Sequence, residues 1–283
     1  MDSSLNINND AKKVFRDCGT CSRTFAHLLN REFGHVKEDE ERALNPLAGG
    51  IMNLGHQCGM LWGASLAIGA EAYRQHENLD DAIAVAVSAT EQIVKSFEKR
   101  TNTIHCKEII GYDLTSIIGM TKFMLKVTLQ GMNNSHCFNL AEEWAPEAVE
   151  AAKNGLAKKN LGLNQKIICC ASEVVRELGG SDEETIMAAG YSGGLGLSGH
   201  ACGALSAAIW KNMLDWCIMH PTKNPPYYNN KTAKKLLKNF QKVTNGEMQC
   251  SKICNQKFKT IKVHSDYIKN GGCRKIVEVL TSD

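Results

Sequence analysis

The chain has 283 residues, 43% of them hydrophobic, and a formal net charge of +3 from 33 basic and 30 acidic side chains. A charge this close to balance, spread along the chain, argues against electrostatic binding of nucleic acid or of a membrane surface. The length is sufficient to bury one large core or two small ones.

The N-terminal residues 1–13 are polar and lack the apolar centre of a signal peptide. The longest apolar stretch, roughly Cys58 to Ala72, is too short to span a bilayer and contains Glu71. Twelve cysteines are too few for a disulfide scaffold of this length. We therefore expect a soluble cytoplasmic protein whose cysteines are thiols, metal-bound thiolates or a transient redox pair.

Helical periodicity recurs along the chain, and the alternating runs typical of strands are nearly absent. The first predicted helix has six residues on one face: Val14, Cys18, Cys21, Phe25, Leu28 and Leu29. A second helix has acidic residues at 80 and 81 and an apolar stripe between 83 and 97. Further helices are predicted at residues 113–129, 142–153, 163–178, 182–191, 199–218, 231–243 and 272–280. A loop is predicted at 220–230, which holds three of the five prolines. These patterns predict an all-α fold.

One cysteine-bearing segment occurs twice. Residues 49–59 read GGIMNLGHQCG and residues 193–203 read GGLGLSGHACG, a shift of 144 that also relates Cys106 to Cys250. The sequence thus divides into a first cysteine-rich helical repeat at 11–137, a connecting helix and turn at 138–159, and a second repeat at 160–280. We expect the two tandem helical repeats to pack about a pseudo-two-fold axis as one compact domain.

The glycine pairs at the start of each segment are turn signals, and a helix is predicted to begin near Gly55 in one copy and Gly199 in the other. The following cysteines would then lie in a first turn, where free amide groups and the helix dipole stabilise a thiolate or a negatively charged cluster. The candidate cofactor-binding residues are Gly55, Gly199, His56 and His200. Alternatively, the glycines only permit tight helix packing, and the histidines bond to sulfur, cap a helix or fill the core.

Each half supplies four cysteines in the same order, and four thiols can close a tetrahedral zinc site or hold an iron–sulfur cluster. The predicted metal ligands are Cys21, Cys58, Cys106 and Cys137 in the first half and Cys170, Cys202, Cys250 and Cys273 in the second. The alternative is that several of them are small buried hydrophobic residues.

Four more cysteines lie outside the repeat: Cys18, Cys169, Cys217 and Cys254. Cys18 and Cys21 form a C-x-x-C motif, which is typical of metal or dithiol chemistry, so both are candidate catalytic thiols. Cys250 and Cys254 share one helical face if their segment is helical, which favours a common ligand.

With these motifs the chain resembles the redox-active family named for its spaced C…GCAxxG…C…C cysteines. The second half carries CCASEVV, GGLGLSGHACGALSAAI and SDYIKNGGCRKIVEVL, and the first half repeats the order with CSRTFAHLL and GGIMNLGHQCGMLWGASL. The resemblance implies a redox role with a bound metal, since the family includes an iron–sulfur domain attached to a haem protein. It implies no substrate.

Our leading hypothesis is a cytoplasmic redox protein that binds an iron–sulfur cluster through these cysteines, for electron transfer or small-molecule reduction. One alternative is a metal-free thiol–disulfide oxidoreductase that uses Cys18 and Cys21. Another is a structural zinc-binding interaction protein. We expect a redox partner protein or a small-molecule substrate, no nucleic acid and no membrane, with a homodimer as one oligomeric option.

Overall fold

A computed structural model describes residues 10–158, 165–227 and 229–282, and its regular structure in these ranges is helical, without β-strands. The first half contains α1 Ala11–Cys18, α2 Cys21–Glu32, α3 Glu38–Arg42, α4 Gly59–Gln75, α5 Leu79–Thr101, α6 Cys106–Ile110, α7 Ile117–Gln130 and α8 His136–Leu156. The second half contains α9 Cys170–Glu177, α10 Asp182–Met187, α11 Gly203–Met219, α12 Lys231–Thr244, α13 Cys250–Ile253, α14 Ile261–Lys269 and α15 Arg274–Thr281. The prediction of an all-α fold is confirmed. Within the described ranges no helix has the length and apolarity needed to cross a membrane.

The first predicted helical face is divided between two helices. Gly19 has a φ of 79° and ends α1, and the Thr20 side chain then caps α2 by accepting a hydrogen bond from the Arg23 amide. Glycine adopts this left-handed conformation without strain, so the chain turns here. Cys18 therefore ends one helix and Cys21 begins the next.

The other predicted helices are present, with their ends shifted. The one predicted at 163–178 begins at Cys170, and residues 163–164 lie outside the described part of the chain. The periodicity does not predict α3, α6, α13 or α14. The first three have at most five residues, which is too short for a periodic pattern. The buried face of α14 includes the polar residues His264 and Ser265, which interrupt the apolar periodicity from which a helix is predicted.

The internal repeat extends to the helices themselves. The helix pairs α4 and α11, α6 and α13, and α7 and α14 each begin 144 residues apart. Ser116 caps α7 by accepting from the Gly119 amide, and Thr260 caps α14 by accepting from the Val263 amide. The duplication therefore covers local structure as well as cysteines.

The helices α4 and α11 lie at the centre of the fold and are buried on nearly all sides. α4 packs against α2 and α5, and α11 packs against α9 and α12. Each copy also packs a helix against the central helix of the other: α3 of the first copy packs on α11, and α10 of the second copy packs on α4. The two repeats thus share one core. The pseudo-two-fold axis stays a prediction, and this reciprocal packing is the observation in its favour.

Small residues allow α2 and α4 to approach closely. A Cβ atom at Gly59 would stand 2.5 Å from the Cys21 sulfur, and one at Gly63 would overlap the Ser22 carbonyl oxygen. Each helical glycine costs about 1 kcal/mol relative to alanine, and this packing offsets it. Tight helix packing therefore explains these two glycines without a ligand.

The segment between α11 and α12 differs from its counterpart in the first copy. α5 begins at Leu79, but α12 begins only at Lys231, later than the 144-residue shift requires. Pro225 and Pro226 fall in this interval, and proline lacks the amide hydrogen that a helix interior needs. The predicted loop at 220–230 is confirmed for its described residues, and residue 228 lies outside them.

This loop crosses to the first copy. The buried Arg42 guanidinium of α3 donates hydrogen bonds to the carbonyl oxygens of Cys217 and His220, each at 3.2 Å. The Tyr227 hydroxyl donates to Oδ1 of Asn53 at 2.6 Å. The second copy therefore contributes side chains close to the cysteines of the first.

The helix α8 spans the predicted boundary between the first repeat and the connecting segment. It packs against α1 and α5 and so joins the connecting segment to the first repeat. Residue 159 of that segment and residues 160–164 of the predicted second repeat lie outside the described ranges. The predicted domain limits stay predictions.

Candidate functional site

Four cysteines of the first copy line one cavity, which we call site 1. They are Cys21, Cys58, Cys106 and Cys137, and the cavity has a volume of about 190 Å³. The rest of its wall is largely apolar and includes Phe15, Met60, Ile109, Ile110, Phe123 and Val127. Helix packing therefore brings together four sulfur atoms that are far apart in the sequence, and their role as metal ligands stays a prediction.

Each sulfur of site 1 lies at a helix N-terminus. Cys21 and Cys106 are the first residues of α2 and α6, and Cys137 is the second residue of α8. Cys58 immediately precedes α4. The first amide groups of a helix lack partners within the helix, and its dipole is positive at this end. The helix dipole therefore acts in favour of a negatively charged sulfur at all four positions, and burial of the sulfur acts against it.

Amide groups reach two of these sulfur atoms directly. The amides of Gly49 and Ser22 donate to Cys21, and the amide of Met60 donates to Cys58. Gly49 belongs to the duplicated glycine pair, so the repeated segment serves the first cysteine as well as the second. Hydrogen bonds of this kind stabilise a thiolate and tune a metal centre bound to it.

The helices predicted to begin near Gly55 and Gly199 begin instead at Gly59 and Gly203. Gly55 has a φ of 79° and Gly199 a φ of 81°, which are left-handed and incompatible with the start of a right-handed helix. A Cβ atom at Gly55 would stand 2.6 Å from the Cβ of Lys107. These glycines shape the turn before each helix, and their predicted contact with a cofactor stays a prediction.

Backbone hydrogen bonds tie Cys58 to Cys106. The Cys58 amide donates to the Ile104 carbonyl at 2.8 Å, and the Cys106 amide donates to the His56 carbonyl at 2.7 Å. The second copy repeats both bonds, at 2.8 Å and 2.6 Å, around its own two cysteines. The histidine of each segment therefore positions the third cysteine through its backbone.

One thiol of site 1 ionises far more readily than the others. A hydrogen bond from Cys58, together with nearby amides, lowers the pKa of Cys21 to about 7. The same bond and burial raise the pKa of Cys58 well above its ordinary value. Burial raises the pKa of Cys106 as well, and that of Cys137 to about 12. Site 1 therefore stabilises one thiolate among neutral thiols.

The second copy gathers five cysteines, which we call site 2: Cys170, Cys202, Cys250, Cys254 and Cys273. The Cys254 sulfur lies 4.0 Å from that of Cys250 and 3.8 Å from that of Cys273. A hydrogen bond to Cys254, burial, and the nearby Cys202 and Cys170 raise the pKa of Cys250. All four predicted ligands of the second half therefore lie near one another.

Cys254 is the thiol of site 2 that ionises most readily. Hydrogen bonds from Cys250, Cys273 and Tyr267 lower its pKa far below the ordinary value. The same bonds and burial raise the pKa of Cys250 and of Cys273. Site 2 therefore also stabilises one thiolate among neutral thiols, but at a cysteine that the first copy lacks.

Two residues of these sites are missing from the predicted set. Cys254 lies outside the repeated pattern, and its only sequence signal is the four-residue spacing from Cys250. Tyr227 lines site 1 although it belongs to the second copy. No spacing or motif connects residue 227 with Cys21, so sequence reasoning could not find it.

The remaining cysteines do not join either site. Cys18 does not line the site 1 cavity, and burial raises its pKa to about 11. The Cys169 thiol donates to Oγ of Ser172 at 3.0 Å, and Cys217 is buried. The predicted catalytic pairing of Cys18 with Cys21 stays a prediction.

The side chains of His56 and His200 do not line the site 1 cavity. The ring of His200 makes an edge contact with that of His105, with centroids 4.7 Å apart, so histidines of both copies meet between the repeats. Burial lowers the pKa of His56, and that of His200 to about 4, which favours the neutral form. Their predicted role as cofactor ligands stays a prediction.

In residues 10–158, 165–227 and 229–282, no group of three or more His, Cys, Asp or Glu side chains is placed to hold a metal ion. The geometry therefore assigns neither zinc nor an iron–sulfur cluster. What it establishes is two clusters of thiols, each built within one copy.

A family model matches the chain twice, at residues 19–151 and at residues 165–282. The description of that family reads "Putative redox-active protein (C_GCAxxG_C_C)". Each match contains the four predicted cysteines of its copy. No curated protein matches the chain, and no solved structure matches it.

Proposed function

The chain belongs to the C_GCAxxG_C_C family, as two tandem copies of its domain, and we propose that it is a redox protein whose two cysteine sites each bind an iron–sulfur cluster. The observation that carries the proposal is that four sequence-distant cysteines line one cavity with a largely apolar wall. Four thiolate ligands are the usual complement of such clusters. The protein would transfer electrons to a partner protein or reduce a small molecule.

The residues that would hold the clusters are the four family cysteines of each copy. Those of site 1 are Cys21, Cys58, Cys106 and Cys137, and those of site 2 are Cys170, Cys202, Cys250 and Cys273. A bound cluster would supply a one-electron carrier. The chain itself contributes amide groups at helix N-termini, which offset negative charge on sulfur, and apolar walls, which limit water.

The cellular setting belongs to the same proposal. All twelve cysteines are free, which suits a reducing compartment such as the cytoplasm. A homodimer stays a prediction.

Structural zinc is the second candidate, and one observation favours it. The Cys254 sulfur lies 3.8 Å from that of Cys273 and 4.0 Å from that of Cys250, close to the roughly 3.8 Å expected between thiolates on a tetrahedral zinc ion with bonds of about 2.3 Å. A zinc ion bound in this way would have Cys254 among its ligands. The metal-free hypothesis based on Cys18 and Cys21 has less support, since Cys18 does not line site 1.

Metal analysis of the anaerobically purified protein separates these candidates. We expect protein produced with an iron supply to be brown and to contain iron and acid-labile sulfide. Cys21→Ser and Cys170→Ser should each remove one site, and so about half of the iron and sulfide.

Cys217→Ser is the matched control, because Cys217 is buried but belongs to neither site. Its iron content should equal that of the unmodified protein. Zinc without sulfide would replace the proposal with the structural candidate. Protein without any metal would leave only thiol–disulfide chemistry.

A further inference from the structure

The two copies differ at three equivalent positions around their cysteine sites. The 144-residue shift relates three apolar residues of the first copy to reactive or polar residues of the second. Ile110 corresponds to Cys254, Met120 to His264, and Phe123 to Tyr267. The alignment holds in the backbone, because Gly111 and Asn255, which follow the first pair, both have left-handed φ values. The second copy has therefore exchanged part of an apolar wall for a thiol, an imidazole and a phenol.

These three side chains lie together in site 2. The Tyr267 hydroxyl donates a hydrogen bond to the Cys254 sulfur, and the charge of Cys254 acts on His264. His264 is 1% exposed, and its Nδ1 atom has no hydrogen-bond partner among the residues that the structure describes.

Cys254 is surplus to a four-cysteine cluster, because the four family positions supply a full set of ligands without it. Its nearest sulfur is that of Cys273, at 3.8 Å. A disulfide needs about 2.05 Å, which moderate side-chain movement can provide from this distance. Cys254 is buried and Cys273 is partly exposed, so a dissolved molecule reaches Cys273 first.

We propose that Cys254 and Cys273 form a thiol–disulfide couple, present only in the second copy, that reduces small-molecule disulfides. Cys273 is the attacking thiol and Cys254 the resolving thiol. In the first copy the resolving position is Ile110, so site 1 cannot perform this reaction.

The reaction balances as two exchange steps. Cys254, whose sulfur lies 3.8 Å from that of Cys273, takes the proton of Cys273, and the Cys273 thiolate so formed attacks one sulfur of the substrate. The substrate S–S bond breaks, and the first substrate thiolate leaves and takes that proton from Cys254. The Cys254 thiolate then attacks the sulfur of Cys273, breaks the mixed disulfide and releases the second substrate thiolate, which takes up a proton from water. One substrate disulfide becomes two thiols, and the Cys273 thiol and the Cys254 thiolate become one disulfide.

The couple also has a consequence for a metal centre at site 2. Cys273 cannot be a ligand and part of a disulfide at once, so the disulfide and a four-cysteine cluster at site 2 exclude each other. Return of the disulfide to one thiol and one thiolate takes two electrons and one proton, with the electrons from a dithiol reductant or from clusters. Reduction by clusters rests on the proposed function, whereas reduction by a dithiol does not.

Peptide mapping tests the couple on the full-length chain. The protein is freed of metal with a chelator, reduced with dithiothreitol, desalted, treated with oxidised glutathione, alkylated and digested with trypsin. Cleavage after Lys242, Lys252, Lys257, Lys269 and Arg274 places the three relevant cysteines on separate peptides, residues 243–252, 253–257 and 270–274. We expect a link between 253–257 and 270–274, with release of both glutathione molecules.

Two variants show which thiol acts first. In Cys254→Ile, which carries the first-copy residue, glutathione should remain attached to peptide 270–274. In Cys273→Ser, no glutathione adduct should form on peptide 253–257, because Cys254 is the resolving and not the attacking thiol. Circular dichroism confirms the helical content, and Cys254→Ser replaces Cys254→Ile if the latter does not fold.

A link between 243–252 and 253–257, or a persistent glutathione adduct in the unmodified protein, would overturn the proposal. Iron and sulfide measured on the same preparation, before the metal is removed for mapping, keep the two proposals separate. Absence of the link in the metal-free protein refutes only the couple, whereas the link in protein that never binds iron refutes only the clusters.

Discussion

Replacement of Gly59 by alanine should damage site 1 and leave site 2 intact. The new Cβ atom would stand 2.5 Å from the Cys21 sulfur, 3.1 Å from the Cα of Ala48 and 3.3 Å from the Ser22 amide nitrogen. Because nonbonded heavy atoms pack at about 3.5–4.0 Å, the sulfur has to retreat by ~1 Å or more. That movement removes one of four predicted ligands from its place.

The cost to stability follows from two opposing effects. Alanine regains about 1 kcal/mol of helix propensity, whereas overpacking of a core costs about 1–3 kcal/mol. We therefore expect the free energy of unfolding to fall by up to about 2 kcal/mol in urea denaturation. Iron and sulfide per chain should fall by about half, because only one of two sites is affected.

Gly69→Ala is the matched control in the same helix. Its Cβ atom would overlap the carbonyl oxygens of Ile186 and Met187, so it perturbs packing without touching a cysteine. It should lower stability and keep the full iron content. Full iron content in Gly59→Ala, or an equal loss in both variants, would refute the reasoning.

Three further outcomes are expected. Arg42→Met should lower the free energy of unfolding by about 3 kcal/mol in urea denaturation, because it removes the donor from the buried Cys217 carbonyl oxygen and from the partly buried one of His220; a loss below about 1 kcal/mol would contradict this. Tyr227→Phe should cost about 1 kcal/mol through loss of the hydrogen bond to Asn53, with metal content unchanged. In reduced, metal-free protein, alkylation of Cys21 followed by mass spectrometry should rise with pH and reach half its maximum near pH 7, since hydrogen bonding lowers that pKa to about 7. A midpoint near 9, the ordinary value, would show that Cys58 does not stabilise the thiolate.

Helical periodicity and the duplicated segment predicted the fold type and the order of the cysteines. Cys58 in the first copy and Cys202 in the second follow equivalent turns. This agreement distinguishes the two cysteines from isolated buried ones. The meeting of Cys21 with Cys58 depends on how closely α2 approaches α4. That distance follows from small residues such as Gly59 and Gly63 packing against a neighbour, which no local pattern specifies.

The differences between the copies could not be predicted, because the repeat directs attention to what is shared. Pro225 and Pro226 indicated a loop, but not that Tyr227 would reach the cavity of the other copy. Cys254 lay outside the aligned set, although it occupies the position of Ile110. Its significance depends on the 3.8 Å contact with a cysteine nineteen positions later, which requires the turn between α13 and α14.

Anomalous diffraction at the iron edge, from crystals of anaerobically purified protein, tests most directly whether each copy builds its own metal centre. Two separate iron peaks are expected, one among the four cysteines of site 1 and one among the cysteines of site 2. A single peak between the repeats, beside His56 and His200, would contradict the account, as would crystals of iron-supplied protein without any iron signal.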